Sequence, residues 1–302
     1  MTLPHSSFEA NKDKPVISII TATYNLIEAG RRESFLRAVK CVQDQTGDTF
    51  EHVIQDGAST DGTASLIASA TEGARNTRVF SQSDRNLFEG MNNGAENARG
   101  EYLLFLNSDD SLAAPDVLER AATILADQKP DFAYGTLVHE DDRGQRKEIT
   151  KTNLNAILQR MPFGHNSLFL RRSLFLELGG HDMAFPISGD YDMMLKMLTR
   201  KSVHGLKLDF PISLYWSRGV SAEIDKVSQD HGNIWAKFFA EVAPSVLYTP
   251  EEYSKFYLRG HLPARLLLAV LKSPEASPTL RSAARHSLLK TVKRGLQPWR
   301  KF

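Results

Sequence analysis

A single cysteine, Cys41, in 302 residues leaves no partner for an internal disulfide and excludes a zinc cluster built on paired thiolates. Long apolar runs are absent as well. The longest, residues 266–271, is far shorter than the ~20 residues that cross a bilayer. Residues 1–14 are polar and lack the apolar centre of a secretory leader, so the chain is expected in the cytoplasm. No Gly-x-Gly occurs, which removes the dinucleotide fingerprint. Gly57 and Gly62 have the spacing of a phosphate loop, yet Thr63-Ala64 stands where Lys-Ser/Thr is required. A dominant charge is missing too: 37 Lys and Arg against 36 Asp and Glu give a formal +1, and no nucleic-acid partner is expected.

What is present is ordinary globular composition, 41% hydrophobic and 24% charged, at a length that suits one large domain or two. Its charge is unevenly placed. From Lys255 onward, 11 Lys and Arg face the single acid Glu275, which leaves 26 basic and 35 acidic residues before that point. In this tail the cations, among them Arg265, Lys272, Arg281, Arg285 and Lys290, alternate with Leu266, Leu267, Leu268, Leu271, Leu288, Leu289 and Trp299. Such a mixture suits an interfacial helix on an anionic membrane surface, and equally a solvated helical face.

Strands and helices alternate through the first third of the chain. Residues 15–23 read as a strand rich in β-branched side chains, and Phe35, Leu36, Val39 and Val42 recur at helical spacing over 34–45. Residues 51–55 form a short second strand that runs into a loop of small and acidic residues, 56–63, capping a helix over 64–70. A weak strand at 79–82 and a helix at 88–99, stopped by Gly100, follow. The central stretch is 100–110. Its apolar run 102–106 lacks polar alternation, as in a strand covered on both faces, and it gives way abruptly to Asn107, Ser108, Asp109 and Asp110. The carboxyl edge of an open α/β sheet is where such folds hold ligands. Adjacent carboxylates there suit Mg²⁺ or Mn²⁺. The alternative is a plain helix cap, with Ser108 or Asp110 starting a helix near Pro115.

The segments Ile17-Ser18-Ile19-Ile20-Thr21-Ala22-Thr23-Tyr24-Asn25, Gln55-Asp56-Gly57-Ala58-Ser59-Thr60-Asp61-Gly62-Thr63 and 100–110 together resemble the signature of family 2 glycosyltransferases with the GT-A fold. Ser83-Asp84-Arg85-Asn86 and Glu89-Gly90-Met91-Asn92-Asn93-Gly94 resemble a bacterial branch that builds surface polysaccharides. The resemblance implies an α/β fold of GT-A type: a Rossmann-like mixed sheet flanked by helices, with a C-terminal helical extension. Its expected divisions are 1–14, a transferase domain over 15–221 (nucleotide half 15–110, acceptor half 111–221), and a basic extension over 222–302.

The resemblance also implies roles. Thr21, Thr23 and Asn25 would hold nucleobase and ribose, and Asp56 would accept from a base imide, or else be a turn acid bonding its own backbone. Asp84 and Arg85 would close over the same nucleotide, or form a surface ion pair. Asn107 and Ser108 join that side. Asn107 stands where the Asp-x-Asp motif usually begins, so Asp109, with Asp110, becomes the stronger ligand for the divalent cation. Residues 137–140 and 146–149 read as two edge strands of a structural hairpin. Residues 163–170, a strand led by polar residues, resemble the acceptor-facing segment with His165 and Asn166. In the loop and helix over 180–198, Asp190 matches the catalytic base and Asp192 would contact acceptor or phosphate, while Gly189 replaces the acid that usually precedes the base. Residues 215–221 resemble a closing Gly-x-Ser loop whose Arg218 suits phosphate.

The activity so implied is inverting transfer of a sugar from a nucleotide-diphosphate donor, expected to be a UDP-sugar, to a hydroxyl of a glycan or lipid-linked acceptor. Two rivals remain. A sugar nucleotidyltransferase shares a similar sheet but opens on a glycine-rich loop with Arg and Lys, which residues 17–32 lack. A non-catalytic glycan-binding protein of this fold would account for Asn107 and Gly189.

Overall fold

The computed structural model describes residues 14–141, 143–150, 152–200, 202–216 and 224–295. Arg218 with its Gly-x-Ser loop, and Trp299 near the end of the tail, lie outside the described residues.

Four parallel strands make the half of the sheet that holds the quoted motifs: β1 (Ile17–Thr23), β2 (Phe50–Asp56), β3 (Thr77–Ser81) and β4 (Tyr102–Phe105). Every residue of β1, β2 and β4 is buried; β4 is an uninterrupted apolar run, whereas β1 and β2 also bury Ser18, Thr21, Glu51, His52 and Gln55. Alternation sorts the side chains of the central strand. Leu103 and Phe105 face one apolar cluster, while Tyr102, Leu104 and Leu106 face the other. Helices α1 (Arg32–Gln43), α2 (Thr63–Ala70) and α3 (Leu87–Asn97) supply the crossovers. The parallel register pairs Thr23 with Asp56, and Ile20 with Phe105. The loops that follow β1, β2 and β4 therefore open on one edge.

Beyond β4 come a two-residue strand β5 (Ser111–Leu112), helix α4 (Val117–Gln128), β6 (Phe132–Glu140), β7 (Arg146–Ile149), β8 (Leu168–Arg171) and short helix α5 (Arg172–Glu177). Then follow α6 (Gly189–Arg200) and β9 (Gly205–Trp216). The sheet order is β3-β2-β1-β4-β8-β6-β9-β5, with β7 on β6. Antiparallel β8 beside β4 makes the sheet mixed.

Several expectations are corrected here. Residues 137–140 end a nine-residue strand, β6, which pairs with β7, β8 and β9, so this is no edge strand. Tyr215 and Trp216 end β9 and do not open a loop. The polar residues ahead of β8 form a 3₁₀ turn, His165–Ser167. Neither Ser108 nor Asp110 caps a helix, since α4 begins beyond Asp116.

The C-terminal region is helical: α7 (Ile224–Val242), α8 (Pro250–Arg259), α9 (Ala264–Lys272) and α10 (Pro278–Gly295). Thr249 and Glu252 form a capping box around Pro250 at the start of α8. Trp235, Phe238, Phe239, Leu266, Leu267 and Leu280 join the same apolar cluster as Leu103 and Phe105, so these helices complete the core on that face of the sheet. Not every tail leucine is used. Leu268 and Leu289 stay exposed, as do Arg265, Lys272 and Arg285.

Candidate active site

A cleft of about 510 Å³ opens at the carboxyl edge of the parallel strands, walled by Thr23 and Tyr24 after β1, Asp84 to Phe88 before and in α3, and Asn107 to Asp109 after β4. His165 also lines it. Asn86 fixes the α3 wall by capping that helix, accepting from the N–H groups of Phe88 and Glu89 at 3.0 and 3.1 Å.

On the nucleotide side the predicted residues divide. Thr21 lies one pleat below the cleft, buried; its hydroxyl donates to the Leu106 carbonyl (2.9 Å) and receives His52 Nε2–H (3.0 Å). Burial pulls the His52 pKa down to about 4, so the ring that donates here is neutral. Thr21 is thus corrected from a nucleotide contact to a bond that ties β1 to the end of β4. Thr23 reaches the cleft and donates to Asp56 at 3.1 Å. Asn25, in the left-handed region at φ 42°, clasps two loops: its N–H donates to Ser59 Oγ and its Oδ1 accepts from Thr60 N–H.

Asp56 is engaged by the protein itself. Its oxygens accept from Thr23 Oγ1, Ser59 N–H (2.9 Å), Ser59 Oγ (2.6 Å) and, more weakly, Ser81 Oγ (3.4 Å). Those contacts match the roughly four lone-pair sites of a carboxylate. Asp84 differs: among the described residues no hydrogen bond to its carboxylate is found, although it faces the cleft. A Cβ at Gly57 or Gly90 would come within 2.7 or 2.9 Å of Asp84 Oδ2, so these glycines leave the space it occupies. Burial first, then the charges of Glu89 and Asp56, push the Asp84 pKa up to about 6. Arg85 is held on Glu89 at 2.8 and 2.9 Å.

The acidic motif and the predicted base meet through His165. Its Nδ1 lies 3.0 Å from Asp190 Oδ2, and its Nε2 lies 3.2 Å from Asn107 Nδ2. Asn107 Nδ2 also donates to Asp110 Oδ2 at 3.1 Å, which accepts from Asn166 at 3.0 Å. Side chains from the loop after β4, the 3₁₀ turn and α6 thus form one polar chain. Burial would raise the Asp190 pKa, but the hydrogen bond and charge of His165, joined by His181, prevail and hold it below the usual carboxylate range. The reciprocal holds for His165: burial opposes its charge, and Asp190, Asp110 and Asp109 lift its pKa above the ordinary value.

Asp110 is buried and pushed up to about 6, first by that burial. Asp109 is freer, one-third exposed, with Arg31 at 3.6 Å. Asn107 Oδ1 is buried and, among the described residues, has no hydrogen-bond partner. Among the described residues no group of three or more His, Cys, Asp or Glu is placed to hold a metal unaided. An ion shared with substrate phosphates needs only one or two carboxylates, and the Asp109 carboxylate with the unpartnered Asn107 oxygen fits that chemistry.

Asp192 is not part of this cluster. Two residues along a helix is about 200° of rotation, and its carboxylate pairs with Lys196 at 2.5 Å, buried. Gly189 also has a local cause: a Cβ there would meet the Phe88 ring at 2.8 Å, so an acid at this position would collide.

Four residues near the cleft were missed. Tyr24, 60% exposed, presents an aromatic face at the lip, and its position directly after Thr23 in the first motif was the available signal. Arg31 offered none. His181 sits among Phe88, Phe105 and Phe175, with Nδ1 3.3 Å from the Gly189 carbonyl, and burial pulls its pKa down to about 4. Asp230, on α7, receives the backbone N–H groups of Ile187 and Ser188.

Comparison with known proteins agrees with this geometry. The model of glycosyl transferase family 2 matches residues 18–187. A PGL/p-HBAD biosynthesis glycosyltransferase of Mycobacterium tuberculosis is 28% identical over 192 residues, 63% of this chain and 72% of that protein. Among solved structures, Staphylococcus aureus TarS 1–349 in complex with UDP-GlcNAc has a TM-score of 0.55 at 17% identity, covering 94% of this chain and 93% of that one. The mannosyltransferase PcManGT from Pyrobaculum calidifontis, in complex with GDP-Man and Mn²⁺, has a TM-score of 0.56 at 20% identity, covering 94% and 81%. The fold is therefore of GT-A type, and the chain belongs to glycosyl transferase family 2.

Proposed function

We propose that this glycosyltransferase inverts the anomeric carbon, moving a sugar from a UDP-sugar to a hydroxyl of a glycan or lipid-linked acceptor in surface polysaccharide synthesis. The observation that carries the reading is Asp190, held below the usual carboxylate range by His165 and joined through it to the acidic motif beside the cleft. An ionised carboxylate at that place is the general base a single displacement needs. Asp190 takes the proton of the attacking hydroxyl as the new glycosidic bond forms and the bond to the diphosphate breaks, and His165 keeps it charged until then.

On the donor side, Asp84 accepts from the imide N–H of the base, because its carboxylate faces the cleft without a protein donor among the described residues. Asp56 shapes the loop beside it. Tyr24 offers a stacking face, and Arg85 leaves Glu89 for phosphate when the nucleotide arrives. Asp109 and Asn107 Oδ1 would hold a Mn²⁺ or Mg²⁺, which supplies Lewis-acid neutralisation of the departing diphosphate. Arg31, beside Asp109, adds a second positive charge to the same corner. Asn166 holds Asp110 in place. TarS with UDP-GlcNAc and PcManGT with GDP-Man support a nucleotide-sugar donor and leave the base to be measured.

The exposed cations Arg265, Lys272 and Arg285, with Leu268 and Leu289, form the surface that would rest on an anionic membrane at its cytoplasmic side. Sedimentation with anionic but not neutral liposomes tests this part. Equal recovery with both would defeat it.

The main test is a panel of UDP- and GDP-sugars, with and without Mn²⁺, assayed for nucleoside diphosphate and pyrophosphate. Nucleoside diphosphate without pyrophosphate is expected. Pyrophosphate would favour the nucleotidyltransferase, and neither product, with donor binding intact, would favour a non-catalytic binder.

A further inference from the structure

Helix α7 grips the chain on both sides of Asp190. Asp230, 7% exposed, accepts from Ile187 N–H at 2.8 Å and Ser188 N–H at 3.0 Å, the two residues that lead into α6 at Gly189. A carboxylate there satisfies amides at the helix entry and meets the positive end of its dipole. The next residue, His231, stacks on Tyr191 with ring centroids 4.3 Å apart. One turn further on, Trp235 Nε1 donates to the Tyr191 hydroxyl at 2.9 Å, and that hydroxyl donates to the Ile157 carbonyl at 2.6 Å.

Residues 187, 188 and 191 are thus all fixed by one helix, and Asp190 lies between them. Its own carboxylate is held by Tyr191 N–H at 2.8 Å and by His165 at 3.0 Å. Both partners act on an acid whose backbone position is set from α7. That helix lies beyond residues 18–187, the stretch matched by the family model.

We propose that Asp230 is a positioning residue for the transfer step: by holding the Ile187 and Ser188 amides it sets where the Asp190 carboxylate stands, which makes α7 a working part of the active site. The proposal rests on Asp190 as the base. A displacement of about 1 Å in a reacting group is enough to cost ~100-fold in rate. A buried acid that merely stabilised the fold would leave turnover alone.

Asp230→Ala removes both bonds, whereas Asp230→Asn keeps an acceptor oxygen of the same shape. Turnover is read as nucleoside diphosphate release from the best donor of the panel, beside donor KM, calorimetric UDP affinity and Tm. The expected result for Asp230→Ala is a fall in kcat of about 100-fold, with donor KM and UDP affinity nearly unchanged. Asp230→Asn should recover most of that loss. Parental kcat in a folded Asp230→Ala, with only Tm lowered, overturns the proposal. Should that variant not fold, Trp235→Phe keeps the ring but deletes the bond to Tyr191. A fall in kcat of about tenfold (~1.4 kcal/mol) at unchanged UDP affinity supports the proposal, and parental kcat overturns it. Asp190→Asn, run alongside, separates the two readings: if it is active the base assignment fails, and if it is dead while Asp230→Ala is fully active, only the role of Asp230 fails.

Discussion

The two sides of the cleft are built in different ways. On the nucleotide side the contacts are local or follow from neighbouring parallel strands: Ser59 bonds Asp56 three residues away, and Thr23 meets Asp56 because β1 and β2 are in register. On the base side nothing is local except Tyr191. His165 reaches Asp190 from a turn ahead of β8, Asp230 reaches Ile187 across 43 residues, and Trp235 reaches Tyr191 across 44. A short motif can therefore specify the donor pocket, whereas the base depends on how α6 and α7 pack. Damage to the first side should appear in donor affinity, and damage to the second in turnover at constant affinity.

Among substitutions that leave the base side alone, Asp109→Ala should have the largest effect. It deletes the free carboxylate ligand, and the loss of Lewis-acid help, on the order of 4 kcal/mol, corresponds to about 10³-fold in transfer rate. It should also abolish the Mn²⁺ dependence of UDP binding measured by calorimetry. Retained dependence would move the cation elsewhere.

Asp84 should give a smaller effect with a defined sign. Its carboxyl is held up to about 6, so it is ionised, and able to accept from a base imide, only above that pH. UDP affinity should fall as pH drops through 6, by about tenfold if one charge-assisted hydrogen bond is lost. Asp84→Asn should flatten the profile, and an unchanged profile would return the imide to another acceptor. The smallest effect on rate is expected from Asp192→Asn. It weakens the pair with Lys196 inside α6 and should lower Tm while kcat stays within about twofold, because its carboxylate points away from the cleft. A large fall in kcat would mean that the base had been placed two residues early.

How much of this was legible follows the same division. The fully buried runs of β1, β2 and β4 announce themselves, and their loops carry the donor residues. Strand β9 was harder to see although Leu206, Leu208, Phe210, Ile212 and Leu214 alternate, because Pro211, which sits where the pairing with β6 is irregular, reads against a strand with neighbours on both sides. Asp190 was found through resemblance, but its partner His165 was assigned to the acceptor, since nothing in a linear sequence places a histidine against an aspartate 25 positions away. Thr21 was misplaced for a simpler reason. Strand periodicity puts it on the same face as Thr23, yet of this strand only its last two residues, Ala22 and Thr23, line the cleft. Gly189 looked like a defect in the motif until Phe88 was seen to fill the space a side chain would need.

The central claim is that a donor pocket set by strand ends works with a base set by helix packing. Its most direct test is Asp190→Asn, with turnover and UDP affinity measured on one preparation. Asn suits the entry to α6 about as well as Asp and keeps an acceptor for Tyr191 N–H, so the fold should persist. The account predicts a fall in kcat of at least ~10²-fold, up to ~10⁴-fold, at unchanged UDP affinity. Near-parental turnover would contradict it.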